Sequence, residues 1–117
     1  MTHDQYAEHV KTFTEEMRAV TSTKNADYSS GENDAMSNYY QLSQAAGITP
    51  VQAWMCLMYK HITAIRRFVK TGSVSSETIH GRFVDLANYA LLGDALVKDL
   101  TTKGLIDENI GVHEEEV

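Results

Sequence analysis

Proline is almost missing: Pro50 is the only one among 117 residues. With so few chain breakers and many Ala, Leu, Met, Gln and Glu, the sequence favours helix over most of its length. Cysteine is equally scarce. The single Cys56 has no partner for an internal disulfide, and its place in the run Trp54-Met55-Cys56-Leu57-Met58 predicts a buried thiol in a reducing compartment. No uncharged apolar run approaches the ~18 residues of a membrane span, and the N-terminus shows no basic region followed by an apolar stretch and a cleavage site. Neither secretion nor membrane insertion is therefore expected, and the expected location is cytoplasmic. Positive charge is also in deficit, with a formal net charge of -6. That balance excludes a general nucleic-acid binder, whose affinity rests on clustered cations that release counterions, but it leaves room for a local basic patch holding one small anion.

The motifs of several common chemistries are lacking too. No His-Glu-x-x-His or cysteine pair supplies zinc ligands at their usual spacing. The glycines stand singly rather than in a phosphate-binding loop, and no Gly-x-Ser-x-Gly elbow is present. His61 and His80 read as packing or surface histidines.

What is present is helical periodicity. The length suits one domain, predicted over residues 1–104 and followed by an acidic tail, 105–117, that is mobile or docks on a partner. The first predicted helix is capped by Thr2 with Gln5 and runs to about Thr21, turning Tyr6, Val10, Phe13, Met17 and Val20 inward. Thr23 to Asn33 is dense in turn formers and reads as a polar loop. A short helix follows from Asp34 to Ala46, stopped by Gly47. The third begins at Thr49-Pro50 with Gln52 completing a capping box and ends at Gly72, with Val51, Met55, Met58, Ile62, Ile65 and Val69 as its stripe. Ser75 or Ser76 caps the fourth, which carries Ile79, Phe83, Leu86, Ala90, Leu91 and Val97 to about Thr102. Short turns between such helices predict an all-α fold, an antiparallel bundle of about four helices. Trp54, Met55, Leu57, Met58 and Tyr59 cover more of the third helix than one stripe requires. Two readings of that surplus stand open, a fully internal helix or a subunit contact in a homo-oligomer.

The candidate site is a polar constellation. Lys24, Asn25, Asp27 and Tyr28 lie in the first loop; Lys60, Arg66 and Arg67 project from the third helix; Asp85, Asn88 and Tyr89 share one face of the fourth at i, i+3 and i+4. Cations for phosphate, an amide for a base edge and a ring for stacking suit a phosphorylated nucleotide. The competing reading makes Asp85 an internal ion-pair partner of Lys60 or Arg67, and Asn88 a partner of a loop carbonyl.

The string Lys24-Asn-Ala-Asp27-Tyr28, then Asp34-Ala-Met-Ser-Asn38-Tyr39, Gly47-Ile-Thr-Pro, Lys60-His61, and Ser76-Glu77 with Arg82-Phe-Val-Asp85-Leu-Ala-Asn88-Tyr89, resembles a family of small phage and prophage proteins related to the nucleotide-modification-associated helical domain. The resemblance covers roughly residues 24 to 95, and its most specific element is the closing Asp-x-x-Asn-Tyr. It implies a nucleotide-type ligand held by Lys24, Asn25, Asp27, Tyr28, Asn38, Lys60, Arg67, Asp85, Asn88 and Tyr89, while leaving the reaction open. The all-helical nucleotide pyrophosphohydrolases bind magnesium through Glu-x-x-Glu and Glu-x-x-Asp. This chain has neither: Glu15 and Glu16 are adjacent, and Glu77 and Asp85 stand two helical turns apart. The expected function is thus binding without cleavage and without a cofactor. It would serve to sequester a host nucleotide immune signal in the cytoplasm of an infected or lysogenic bacterium. The alternatives are a magnesium-dependent nucleotide hydrolase, in which Asp27, Asp34, Glu77 and Asp85 converge, and a ligand-free inhibitor that docks on a host factor.

Overall fold

Most of the helix boundaries written in the sequence are realised as hydrogen bonds. The computed structural model describes residues 1–28 and 34–107, with the backbone alone described for 22–28. These form α1 (His3–Tyr28), α2 (Ser37–Ala46), α3 (Pro50–Thr71) and α4 (Ile79–Thr102), and no strand is present among them. At the head of α1, Gln5 N–H donates to Thr2 Oγ1 while Thr2 N–H donates to Gln5 Oε1, at 3.1 and 2.8 Å. Thr49 and Gln52 repeat the arrangement at α3, with Pro50 next to the cap. Gly47 and Gly72 close α2 and α3 in the left-handed conformation, φ 70° and 74°, where a Cβ would be strained. The fourth cap is Thr78, which accepts from Gly81 N–H, and not Ser75 or Ser76. Ser76 instead bends the connection at φ 75°.

The expected loop over Thr23–Asn33 is shorter than read, because α1 continues through Tyr28. Turn-forming side chains do not stop a helix that is already nucleated, since each further residue adds one hydrogen bond at low cost, and no Pro or Gly intervenes before Gly31. Residues 29–33 and the part of the acidic tail from 108 onward lie outside the described residues.

The core is centred on the α3–α4 seam. Val51 lies beside Val97, Trp54 meets Tyr89 and Gly93, and His61 meets Asp85 and Arg82, so the two helices run antiparallel. Trp54 fixes their separation: a Cβ on Gly93 would stand 2.6 Å from the indole, while Nε1 donates to the Tyr89 carbonyl at 2.8 Å. Met36, just before α2, and Tyr39 within it join Leu96 and Leu100 in the main apolar cluster, against which Tyr40, Val51, Trp54, Leu57 and Leu92 pack. In α1 the order of contacts is reversed. Phe13 and Glu16 meet His80, and Thr21 meets Asn88, so α1 lies parallel to α4 and its first turns overhang the start of that helix.

This geometry corrects several expected core positions. Tyr6 is 59% exposed and Val10 is also exposed, because both belong to the overhang. On α3, Met55 and Val69 face outward, Val69 at 79% exposure, whereas Ala53, Met58 and His61 are buried. Cys56 is exposed, not enclosed. On α4, Phe83, Ala90 and Leu91 face outward while Val84, Asp85, Asn88, Tyr89, Leu96 and Leu100 are buried. The indole fitting against Gly93 selects these faces over the ones an apolar stripe would suggest. No helix among the described residues is long and apolar enough to cross a membrane.

At the far end of the bundle, Tyr40 Oη donates to Asp99 Oδ2 at 2.7 Å, and Lys103 Nζ donates to the same oxygen at 3.0 Å while standing 4.1 Å over the Tyr40 ring. Partial burial, followed by the bond to Asp99, raises the Tyr40 phenol above its ordinary 10.0. The Tyr40 bond and then the Lys103 bond lower the Asp99 carboxyl. Asp99 therefore contributes stability above the ordinary carboxylate range, and the contribution is lost as pH falls through its depressed folded value.

Two outcomes test this account. Gly93→Ala forces the indole out of its seat and destabilises the fold by about 1–3 kcal/mol, read as a lower urea midpoint; an unchanged midpoint removes Trp54 as the spacer. In alkaline difference spectroscopy, Asp99→Asn lowers the point at which the Tyr40 phenol ionises, because the Asp99 bond and charge that raise it are lost while Lys103, which lowers it, remains.

Candidate functional site

Asp85, Asn88 and Tyr89 share a face of α4, and it is the buried face. Asn88 is 4% exposed; its Oδ1 accepts a short hydrogen bond from Thr21 Oγ1 of α1, and its Nδ2 has no hydrogen-bond partner among the described residues. The Tyr89 ring lies 5.3 Å from the His61 imidazole. The residue is 9% exposed. Lys60 and Arg67, both exposed, line a cavity of about 170 Å³ with Thr63, Val74, Ser75 and Arg82. Asp85 lines a different cavity, of about 370 Å³, between α1 and the head of α4, together with Glu16, Glu77 and Gly81.

Lys60, Asp85 and Asn88, expected to hold one ligand together, are thus divided between two cavities and a buried tie. The reason is the register of α3 on α4. His61 takes the inward position opposite Asp85, which turns its neighbour Lys60 outward to the adjoining side. No ion pair joins Asp85 to Lys60 or Arg67; on α3 its Oδ2 stands 3.7 Å from His61 Nδ1. Asn38 is half-buried in the first turn of α2. Lys24, Asn25, Asp27 and Tyr28 lie on the last turns of α1, and their side chains are outside the described residues. Arg66 lines neither of these two cavities and donates to the Tyr59 hydroxyl at 3.3 Å.

Arg82 is the residue between the cavities. It lines the Lys60–Arg67 cavity, donates from Nη1 to His61 Nδ1 at 3.2 Å, and stands 3.8 Å from Glu77 through Nε. Because a guanidinium only donates, His61 Nδ1 is the accepting nitrogen of a neutral ring in this arrangement. The ligating atoms of His61, Glu77 and Asp85 all lie within 4.8 Å of one another. The separation of Glu77 and Asp85 by two helical turns does not apply, since α4 begins only after Thr78 and Glu77 belongs to the connection that folds back over it. Neither Arg82 nor His61 stood out as a site residue in the sequence. The signal for His61 was its spacing of seven from Trp54, two turns along the same face.

Comparison with known protein families, with curated proteins and with solved structures finds no match for this chain.

The Thr21–Asn88 bond ties α1 to the polar face. Thr21→Val leaves the buried Asn88 amide wholly without its α1 partner, at a cost of about 1–3 kcal/mol, measured by urea unfolding. Stability equal to that of the parent chain rules out this bond as an anchor of α1.

Proposed function

We propose that this protein binds a phosphorylated nucleotide without cleaving it, with the phosphate held by Lys60, Arg67 and Arg82. The observation that carries the reading is the convergence of those three cations on one cavity in a chain whose net charge is -6. The α3 helix contributes Lys60, Arg66, Arg67 and Lys70 and no acidic residue. Arginine forks and a lysine ammonium match phosphate oxygens through charge-assisted hydrogen bonds. A volume of about 170 Å³ is below the ~300 Å³ at which pockets enclose whole drug-sized ligands. It suits a phosphoryl group, with the nucleoside lying across the adjoining surface.

The resemblance of Lys24-Asn-Ala-Asp27-Tyr28 and Asp85-Leu-Ala-Asn88-Tyr89 to the phage nucleotide-modification-associated family favours a nucleotide over other phosphorylated molecules. On this reading the protein acts in the cytoplasm of an infected or lysogenic bacterium as a homo-oligomeric sponge for a host nucleotide signal, a task that needs affinity and abundance but no catalytic group. A second reading, a magnesium-dependent nucleotide hydrolase, draws support from the convergence of Glu77 and Asp85, although Asp34 is not among the residues that cluster with them.

A panel of linear and cyclic nucleotides separates the readings. A true ligand at ~100 times its dissociation constant adds about 2.7 kcal/mol of stability. It is recovered intact after heat denaturation, even with magnesium present; release of pyrophosphate or monophosphate establishes the hydrolase instead. The Lys60→Ala, Arg67→Ala double variant keeps its helicity and loses at least tenfold in affinity, about 1.4 kcal/mol. Undiminished binding by that variant overturns the proposed phosphate seat.

A further inference from the structure

The cavity of about 370 Å³ beside α1 has three carboxylates on its wall that the phosphate seat does not use: Glu16, which bonds His80, and the pair Glu77 and Asp85. Asp85 comes from α4, Glu77 from the connection before it, and His61 reaches the same pair from α3. We propose that His61, Glu77 and Asp85 bind one divalent transition-metal ion of the manganese-to-zinc series, and that Arg82 is the internal cation this metal displaces. The inference stands on the cluster itself and holds whether or not a nucleotide is the ligand.

Three features support it. The donor atoms, within 4.8 Å of one another, need only a small closure, since ligand bonds of roughly 2.0–2.2 Å hold donors about 3–4 Å apart. The closure falls on Glu77, which is exposed and outside any helix, while His61 at 2% exposure and Asp85 at 8% are held in place by packing.

The second feature is the state of the ring. His61 Nδ1 already accepts a hydrogen bond from a cation, the Arg82 guanidinium, and it faces Asp85 Oδ2 across 3.7 Å. A nitrogen lone pair and a carboxylate oxygen at that distance are both acceptors, and a metal ion would bind them from between. Arg82 bonds the nitrogen and stands beside Glu77, so it holds two of the three donors that the ion would take over. A neutral imidazole whose Nδ1 lone pair is an acceptor is the protonation state that metal ligation requires.

The third feature is access. The cavity that Asp85 and Glu77 line is open to solvent, so an ion can arrive with waters that complete its coordination sphere. The nitrogen donor determines the class of ion, because imidazole suits zinc, iron, nickel and copper, carboxylate suits manganese and magnesium, and the mixed set favours a borderline dication over magnesium or calcium. Arg82 sets the affinity. Its side chain also borders the cationic cavity, which gives it somewhere to go when the metal enters.

The test uses Mn²⁺ alone on the full-length chain, with bound ion measured from loss of the free-ion electron paramagnetic resonance signal. Saturation at one ion per chain is expected, with at least a tenfold loss of affinity in Asp85→Asn and in His61→Gln. Arg82→Gln is expected to bind more tightly than the parent chain, and His80→Gln to bind equally, because the exposed His80–Glu16 pair is a separate histidine–carboxylate contact on the same cavity rim. Glu77→Gln, at an exposed position, keeps the test decisive if either buried variant fails to fold by circular dichroism. The proposal is overturned if neither the parent nor Arg82→Gln shows saturable binding up to millimolar Mn²⁺, or if Glu77→Gln and Asp85→Asn bind as the parent does. A tight site that Arg82→Gln leaves unchanged overturns the role given to Arg82. Neither failure touches the phosphate seat, whose own readout is nucleotide affinity.

Discussion

The pairing of α3 with α4, on which the candidate site depends, is set by one indole. Trp54 lies against Gly93 where no side chain fits, and its N–H is bonded to the Tyr89 carbonyl. Together these fix both the separation and the register of α3 on α4. Helix pairs packed through apolar side chains alone tolerate exchange of one such residue for another of similar volume, whereas an indole against a glycine carrying a directional hydrogen bond admits one alignment. Two turns along from that contact, the register delivers His61 to Asp85 and Arg82; one step aside from His61, it points Lys60 out of the core.

The polar groups of the core follow from the same alignment. Burying Asn88 and His61 is costly unless each is bonded or balanced by charge; Thr21 from α1 bonds the Asn88 amide oxygen and the Arg82 guanidinium from α4 itself bonds the His61 ring. These polar contacts do for the α1–α4 seam what apolar packing does for the α2–α3–α4 cluster. They also confine α1 to its second half, leaving the first turns held by their own capping box and backbone bonds.

The ends of the helices were legible in the sequence because their signals are local. Thr2 with Gln5, Thr49 with Pro50 and Gln52, and the two left-handed glycines act within one turn, and each occurs where the residue types require. The faces of α3 and α4 were not legible in the same way. Met55, Tyr59 and Val69 on α3, and Phe83 and Leu91 on α4, are as apolar as the residues that are buried, so periodicity alone could not rank them; the deciding contact, Trp54 on Gly93, joins residues far apart in the chain. The site was half legible for the same reason. Asp85, Asn88 and Tyr89 do share a face, and Lys60 and Arg67 do share a cavity, but the residue between the two groups is Arg82, visible only once α3 and α4 are aligned. Glu77 was misjudged because the start of α4 was placed before it.

The α3 helix holds four of the chain's ten cations and none of its sixteen acids. Its outer surface is consequently a patch of opposite sign on an anionic body, and field lines from the surrounding carboxylates converge there. A small polyanion approaching from solution is repelled by most orientations of the molecule and drawn in by one, which aligns the encounter before any contact is made. Such guidance is weakened by salt over a screening length of about 8 Å at physiological ionic strength, so the alignment would fade in concentrated electrolyte.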